Sequence, residues 1–402
     1  MSTEQFEVVI VGGGTAGVDM AARLRRHFSP ASIALLEPSE HHYYQPLWTL
    51  VGGGEATKEQ SMHLEKDVLP HDITWIKERA AEFVPTENLV VTDGGRHLTY
   101  RFLIVAPGIK IDWAAIPGLP EALKDDPRVS SNYDYNLAEK TWRAVQNFKG
   151  GQALFTHPAT PVKCGGAPQK IMYLAEDYWR IHGVRPNAKV DGFFSTGGIF
   201  PIPAYAKTLN EVLQRKEITM HFRRDLIEIR PEMSEAVFRN LDAPDEIETV
   251  RYDFMHVTPK MFPPDVVAKS PFAVADGPTK GWFKVDVKTL QNPDYPNVFA
   301  LGDSAALPTS KTGAAVRKQA VVVEKNLMSV MKGESLTAEY NGYTSCPIVT
   351  GYGKLVLAEF GYDDKIMSSF PFDTTKERWS MYMLKKHGLP VMYWDLMMKG
   401  LA

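Results

Sequence analysis

The 402-residue chain has only two cysteines, Cys164 and Cys346. Two cannot build a disulfide scaffold or a four-thiolate zinc site. No run of about 18 apolar residues occurs, so no bilayer-spanning helix is expected. A basic excess is also missing: 45 Lys and Arg stand against 48 Asp and Glu, a formal charge of −3. Nucleic-acid binders are usually more basic, so no nucleic-acid partner is expected. Repeats and low-complexity tracts are lacking. With 44% hydrophobic and 23% charged residues, the composition excludes a disordered chain, a fibre or a heptad rod. The length suggests two or three domains. Acidic Glu4 and Glu7 flank Phe6, and an apolar strand follows at once. That reads as no export or transit segment.

What the chain has is a dinucleotide motif. Residues 6–11 read FEVVIV, Gly12 to Gly17 read GGGTAG, and VDMAARLRRHF follows with helical spacing. Gly12 permits the tight turn, Gly14 lets a pyrophosphate approach the backbone, and Gly17, after Ala16, lets the helix pack on the strand. A second strand, SIALLE, ends in Glu37, 20 residues after Gly17, where an acid binds ribose hydroxyls. Two later segments favour FAD over NAD. YRFLIVAPG (100–108) and NVFALGDS (297–304) are strands ending in small-residue turns. They resemble segments of two-dinucleotide-domain flavoproteins, in which the second supplies an acid, here Gly302-Asp303, to the flavin's ribityl chain.

The motif order suggests an α/β fold with two Rossmann-like domains, glutathione-reductase-like. The FAD-binding domain is split over 1–115 and 285–345, the second domain is inserted at 116–284, and a C-terminal segment covers 346–402. Within the insert, strands are expected at Gln152–Thr156, Lys189–Thr196 and Ile218–Phe222, and helices at Gln169–Arg180 and Ala204–Arg215. The insert lacks a second GxGxxG. Its first strand runs instead into HPATPVKC (157–164), and the next ends in Ser195 and Thr196 where a ribose-binding acid would stand. A site for NAD(P)H is therefore not expected, and Cys164 occupies the vacated turn. A thiol before a helix, with Lys163 beside it, should be acidic and nucleophilic. Taken alone, Cys164 and Cys346 could equally be two unconnected buried thiols. His41 and His42 lie in a Tyr/Trp/Pro-rich loop without a third ligand at matching spacing, so loop packing is expected and no metal.

The blocks HHYYQPLWTLVGGG (41–54), TPVKCGGAPQKIMYL (160–174), HVTPKMFPPDVV (256–267), LPTSKTGAAV (307–316) and GYTSCPIVTGYGKLVLAEF (342–360), together with GGGTAG, resemble sulfide:quinone oxidoreductases of the branch that includes the mitochondrial enzyme. The resemblance covers essentially the full length. It implies a membrane-peripheral flavoenzyme that oxidises hydrogen sulfide and reduces ubiquinone or another membrane quinone. Cys164 and Cys346 would be its redox pair. Sulfide would attack at Cys346, leaving a persulfide, and Cys164 would be the flavin-facing thiolate. The persulfide sulfur would leave to sulfite, glutathione, cyanide or more sulfide. FAD would be noncovalent, because the branch with covalent FAD uses a third cysteine. Lys311, Thr312, Gly313 and Ala314 would meet the flavin, with the Lys311 ammonium and the helix N-terminus stabilising its reduced, anionic form. Gln45 and Ala80 match further flavin-contacting positions. The runner-up activity is NADH:quinone reduction on the same fold, and a flavin-binding redox sensor is the non-enzyme alternative.

Residues 376–402, KERWSMYMLKKHGLPVMYWDLMMKGLA, mix Trp, Tyr and Lys with Met and Leu. That composition suits a membrane interface. Two short pieces are expected on either side of Gly388-Leu389-Pro390, framing a quinone tunnel, with Phe360, Phe370, Phe372 and Tyr382 as pocket candidates. The competing reading is a core helix or a homodimer contact. The expected location is peripheral, on the cytoplasmic side of a bacterial inner membrane.

Overall fold

The computed structural model describes residues 3–402. Two mainly parallel sheets organise the chain. The first has the order Thr74–Ile76, Ile33–Leu36, Thr3–Val11, His97–Val105, Leu89–Thr92, Ala80–Val84. Val8, Val9 and Ile10 are fully buried, as continuous apolar runs are in a sheet covered on both faces. The strand His97–Val105 pairs antiparallel with Leu89–Thr92 through its first residues and parallel with Val298–Ala300 through its last. That second pairing returns the chain to the first sheet after the insert.

The second sheet runs Val129–Ser130, Phe254–His256, Gly151–His157, Ala188–Phe194, Thr219–Phe222, all parallel. Its helices span Ala167–Ile181 and Pro203–Arg215. The strand expected to reach Thr196 stops at Phe194. There Ser195 donates its hydroxyl to the Pro158 carbonyl and Thr196 to that of Gly198, and such local side-chain bonds compete with the ladder.

An antiparallel hairpin, Thr344–Gly351 with Lys354–Phe360, follows the long helix Gly313–Lys332. It begins at Thr344, so the expected boundary at 346 falls inside a strand. Cys346, Ile348, Val356, Ala358 and Phe360 join the second domain's core.

The tail corrects the expected break at Gly388-Leu389-Pro390. Helical backbone runs from Trp379 to Lys399 through two π-helical turns, Leu384–Gly388 and Met392–Leu396. These wider turns flank Pro390 and absorb its missing N–H and its ring. The run ends at Gly400, in the left-handed conformation. Its last third is not free at the surface. Tyr393, Met397 and Met398 are buried in the first domain's core. Arg26 donates to the carbonyls of Gly400 at 3.0 Å and Lys399 at 2.8 Å, and Arg23 to that of Ala402. Among the described residues, no helix is long and apolar enough to cross a membrane.

Candidate active site

The dinucleotide turn is built by close approach. A Cβ on Gly12 (φ +99°) would stand 2.4 Å from the Ala106 carbonyl oxygen, and one on Gly17 1.8 Å from that of Gly12. At Gly14 nothing lies within 4 Å of that position, so the turn is open where a phosphate would approach. No side chain caps the helix Thr15–Leu24 that follows, which leaves its first N–H groups for a ligand. Glu37 is held by the N–H groups of Gly13 and Ser39, each at 2.8 Å. A Cβ on Gly302 would lie 3.3 Å from that of Ala16, so the first and last dinucleotide motifs meet. Ala80 opens an edge strand just after Ile76, whose carbonyl accepts the Glu37 N–H at 3.0 Å. Open turn, uncapped helix and fixed acid fit a dinucleotide.

Thr312 caps the helix Gly313–Lys332, its hydroxyl accepting from the Ala315 N–H at 3.1 Å. Gly313 and Ala314 form the first turn. The Lys311 ammonium turns toward the Gly302-Asp303 turn. It donates to the carbonyls of Asp303 at 2.7 Å and Ala305 at 3.2 Å and sits 3.9 Å from the centre of the Trp282 ring. Burial pulls its pKa down to about 8. It therefore ties the Gly302-Asp303 turn to the helix N-terminus.

The Lys311 carbonyl accepts the Cys164 N–H at 2.8 Å, and the Cys164 carbonyl accepts from Ala167 at 2.7 Å. Between these bonds Cys164 is held at φ +54°, a conformation that costs a non-glycine residue roughly 1–3 kcal/mol. Its sulfur lies 3.6 Å from that of Cys346, 182 residues later, and both cysteines are free thiols. The hydrogen bond from the Cys346 thiol, more than the Lys170 ammonium at 3.3 Å, pulls the Cys164 thiol well below its ordinary pKa. Cys346 is pushed up for the reciprocal reason, with burial adding to the shift. The two sulfurs are close enough to form or open a disulfide, and Cys164 is the one whose ionisation its surroundings favour.

The cation beside Cys164 is not Lys163. That ammonium turns away to the Gln45 side-chain carbonyl at 2.8 Å. Two lysines missed in the sequence act instead. Lys170 is in the first turns of the helix Ala167–Ile181, where a lysine among IMYLA was the available signal. Lys385 arrives from the tail and donates to the Pro46 carbonyl at 2.8 Å. Burial, with Lys170 nearby, lowers its pKa to about 7. No sequence signal joined Lys385 to Cys164.

A cavity of about 850 Å³ opens onto Cys346, lined among others by Ser310, His157, Phe200 and Phe360. The quinone-pocket candidates have different immediate partners. Phe360 stands on this cavity, edge-on to Phe200. Phe370 stacks on Phe372, which carries the Arg378 guanidinium. Tyr382 donates to Glu55.

Fold and site together define a two-dinucleotide-domain flavoprotein with a thiol pair in place of a second nucleotide turn. Residues 6–150 match the pyridine nucleotide-disulphide oxidoreductase family. The mitochondrial sulfide:quinone oxidoreductase of Mus musculus is 46% identical over 98% of this chain and 87% of its own. That of Dictyostelium discoideum is 43% identical over 98% and 86%. The solved sulfide:quinone oxidoreductase of Aquifex aeolicus superposes with a TM-score of 0.82 at 20% identity, over 99% of this chain and 92% of its own. The chain belongs to the sulfide:quinone oxidoreductase family.

Proposed function

We propose that the chain oxidises sulfide and passes two electrons through a noncovalently held FAD to a membrane quinone. The observation that carries this reading is the free Cys164–Cys346 pair, 3.6 Å apart, at the turn where a second nucleotide cradle would stand. The FAD would lie on the Gly12–Gly17 turn, with Glu37 and Ala80 at its adenosine end, Gly302 and Asp303 along its chain, and Gln45 and the Lys311–Ala314 helix end at its ring. Bound there, FAD supplies a two-electron acceptor. Hydrosulfide attacks the Cys346 sulfur of the oxidised pair, the S–S bond breaks, and Cys346 keeps a persulfide while Cys164 leaves as a thiolate. Lys170 holds that negative charge. An acceptor such as sulfite, glutathione, cyanide or a second sulfide removes the outer sulfur through the Cys346 cavity. Closing the disulfide from the two thiolates then releases the electron pair.

Rapid mixing tests this: sulfide should bleach the flavin, NADH should not, and a soluble quinone analogue should restore its colour. Bleaching by NADH alone would favour the NADH:quinone reading. A flavin that neither reagent reduces would favour a sensor. Acid should release all the FAD, because both cysteines are engaged in the pair. Flavin in the precipitate would refute noncovalent attachment.

The chain would associate peripherally with a membrane through the exposed Trp379, Val391, Leu396 and Leu401 of the tail. Each partly buried side chain adds up to about 1.5 kcal/mol, so vesicle flotation should survive salt and fall when the four become Ser. Equal flotation would send the search elsewhere. A cytoplasmic location on a bacterial inner membrane is tested by protease access to sealed vesicles of each sidedness.

A further inference from the structure

The turn that follows the first strand is gripped from outside its own domain segment. Tyr393, on the C-terminal helix, places its hydroxyl 2.8 Å from that of Thr15, inside the GGGTAG motif, and 2.6 Å from Nε2 of His42. The other ring nitrogen of His42 lies 3.1 Å from Oε2 of Glu65. Glu65 is 1% exposed, and its second oxygen, Oε1, is buried without a partner. That oxygen lies 3.0 Å from where a Cβ on Gly13 would stand, beside the Glu37 side chain. The chain of contacts therefore starts at Thr15 and ends at Gly13, bracketing the turn. It draws on three segments far apart in sequence. The loop histidine that looked like mere packing is its centre.

We infer that Tyr393 is a positioning residue for the dinucleotide turn, so that docking of the C-terminal helix and retention of the dinucleotide are coupled. The inference rests on the FAD reading above. Three features carry it. Every polar atom between Thr15 and Glu65 Oε2 is paired and most are buried, and a gap in such a chain costs more than one weak contact. The one unpartnered atom, Glu65 Oε1, is an acceptor facing the ribose side of the turn, where a dinucleotide hydroxyl can donate. The helix end is pinned as well, by Arg23 of the helix Thr15–Leu24, which that same turn begins, and by Arg26 just past that helix's end. Undocking the tail frees the Thr15 hydroxyl and lets the turn sample conformations that do not accept the dinucleotide. Apparent affinity then falls by the fraction of time the turn is competent.

The test compares wild type with Tyr393→Phe, Thr15→Val and the double variant. The readout is the rise in fluorescence as FAD is released from diluted holoprotein, together with the melting temperature of apoprotein stripped by acid or salt. Tyr393→Phe should release FAD about tenfold faster, while apoprotein melting stays near that of wild type. The double variant should be no faster than the worse single one, because both break the same link. If Tyr393→Phe does not fold, Glu65→Gln reads the same chain from its other end and should also speed release. Unchanged release, additive effects, or a drop in apoprotein melting without faster release would overturn the inference. A wild-type protein that never holds FAD would instead refute the reading on which it rests.

Discussion

The two sheets each end their leading strand in a turn that feeds a helix, and the two turns do opposite things. After Thr3–Val11, three glycines leave space: the backbone comes close, and Gly14 faces nothing. After Gly151–His157, prolines and a strained cysteine fill the same topological place, with a lysine packed on the sulfur. The first turn offers N–H groups to an anion. The second places a thiol beside a lysine, where its ionised form is favoured. One architectural position can thus serve a cofactor or a redox group, depending on whether its residues clear the space or occupy it.

The largest expected effect tests the second turn. Cys164→Ser and Cys346→Ser should each cut sulfide-dependent quinone reduction by on the order of a thousandfold or more, while the flavin spectrum persists, because the cradle lies elsewhere. A single variant near normal turnover would remove that cysteine from the chemistry and break the contrast.

The first turn should respond in the reverse way. Gly14→Val fills the open space without strain, since Gly14 has φ −70°. The apoprotein should melt normally but bind FAD roughly a hundredfold more weakly, a loss of about 2.8 kcal/mol. Equal affinity would mean that the dinucleotide does not approach at Gly14.

A smaller effect sharpens the account of the thiolate. Cys164 ionises early because Cys346 donates to it and Lys170 faces it, so Lys170→Met should move its ionisation to higher pH. Alkylation of the reduced protein at neutral pH should slow by about tenfold if the shift is near one unit. An unmoved alkylation profile would leave the Cys346 hydrogen bond as the whole cause. The smallest expected signal is for NADH: at the second turn it should bind too weakly to change flavin reduction by sulfide.

The parts of the site that were legible in the sequence are those written in contiguous residues. GGGTAG with its strand and helix, the acid at Glu37, the returning Gly302-Asp303 turn and the thiol in TPVKCGG all stand where short-range patterns put them, because turn and helix-start geometry depends on neighbours. Side-chain direction was not legible. Lys163 adjoins Cys164 in sequence yet turns to Gln45, whereas Lys170 reaches the sulfur across a helical turn. Lys311 stands just before the Thr312 cap of the expected helix, and that its ammonium bonds the Asp303 carbonyl was not legible.

The sequence alone determined the class of fold, the dinucleotide turn and the candidate pair of cysteines. The tertiary structure decided that Cys164 and Cys346 meet, which lysines face them, and that the tail belongs to the first domain's core. The reason is physical. Each of those outcomes depends on contacts between segments tens to hundreds of residues apart, such as Tyr393 with Thr15 or Lys385 with Pro46. Such pairings are selected by the packing of whole sheets and helices against one another, and no local periodicity encodes them.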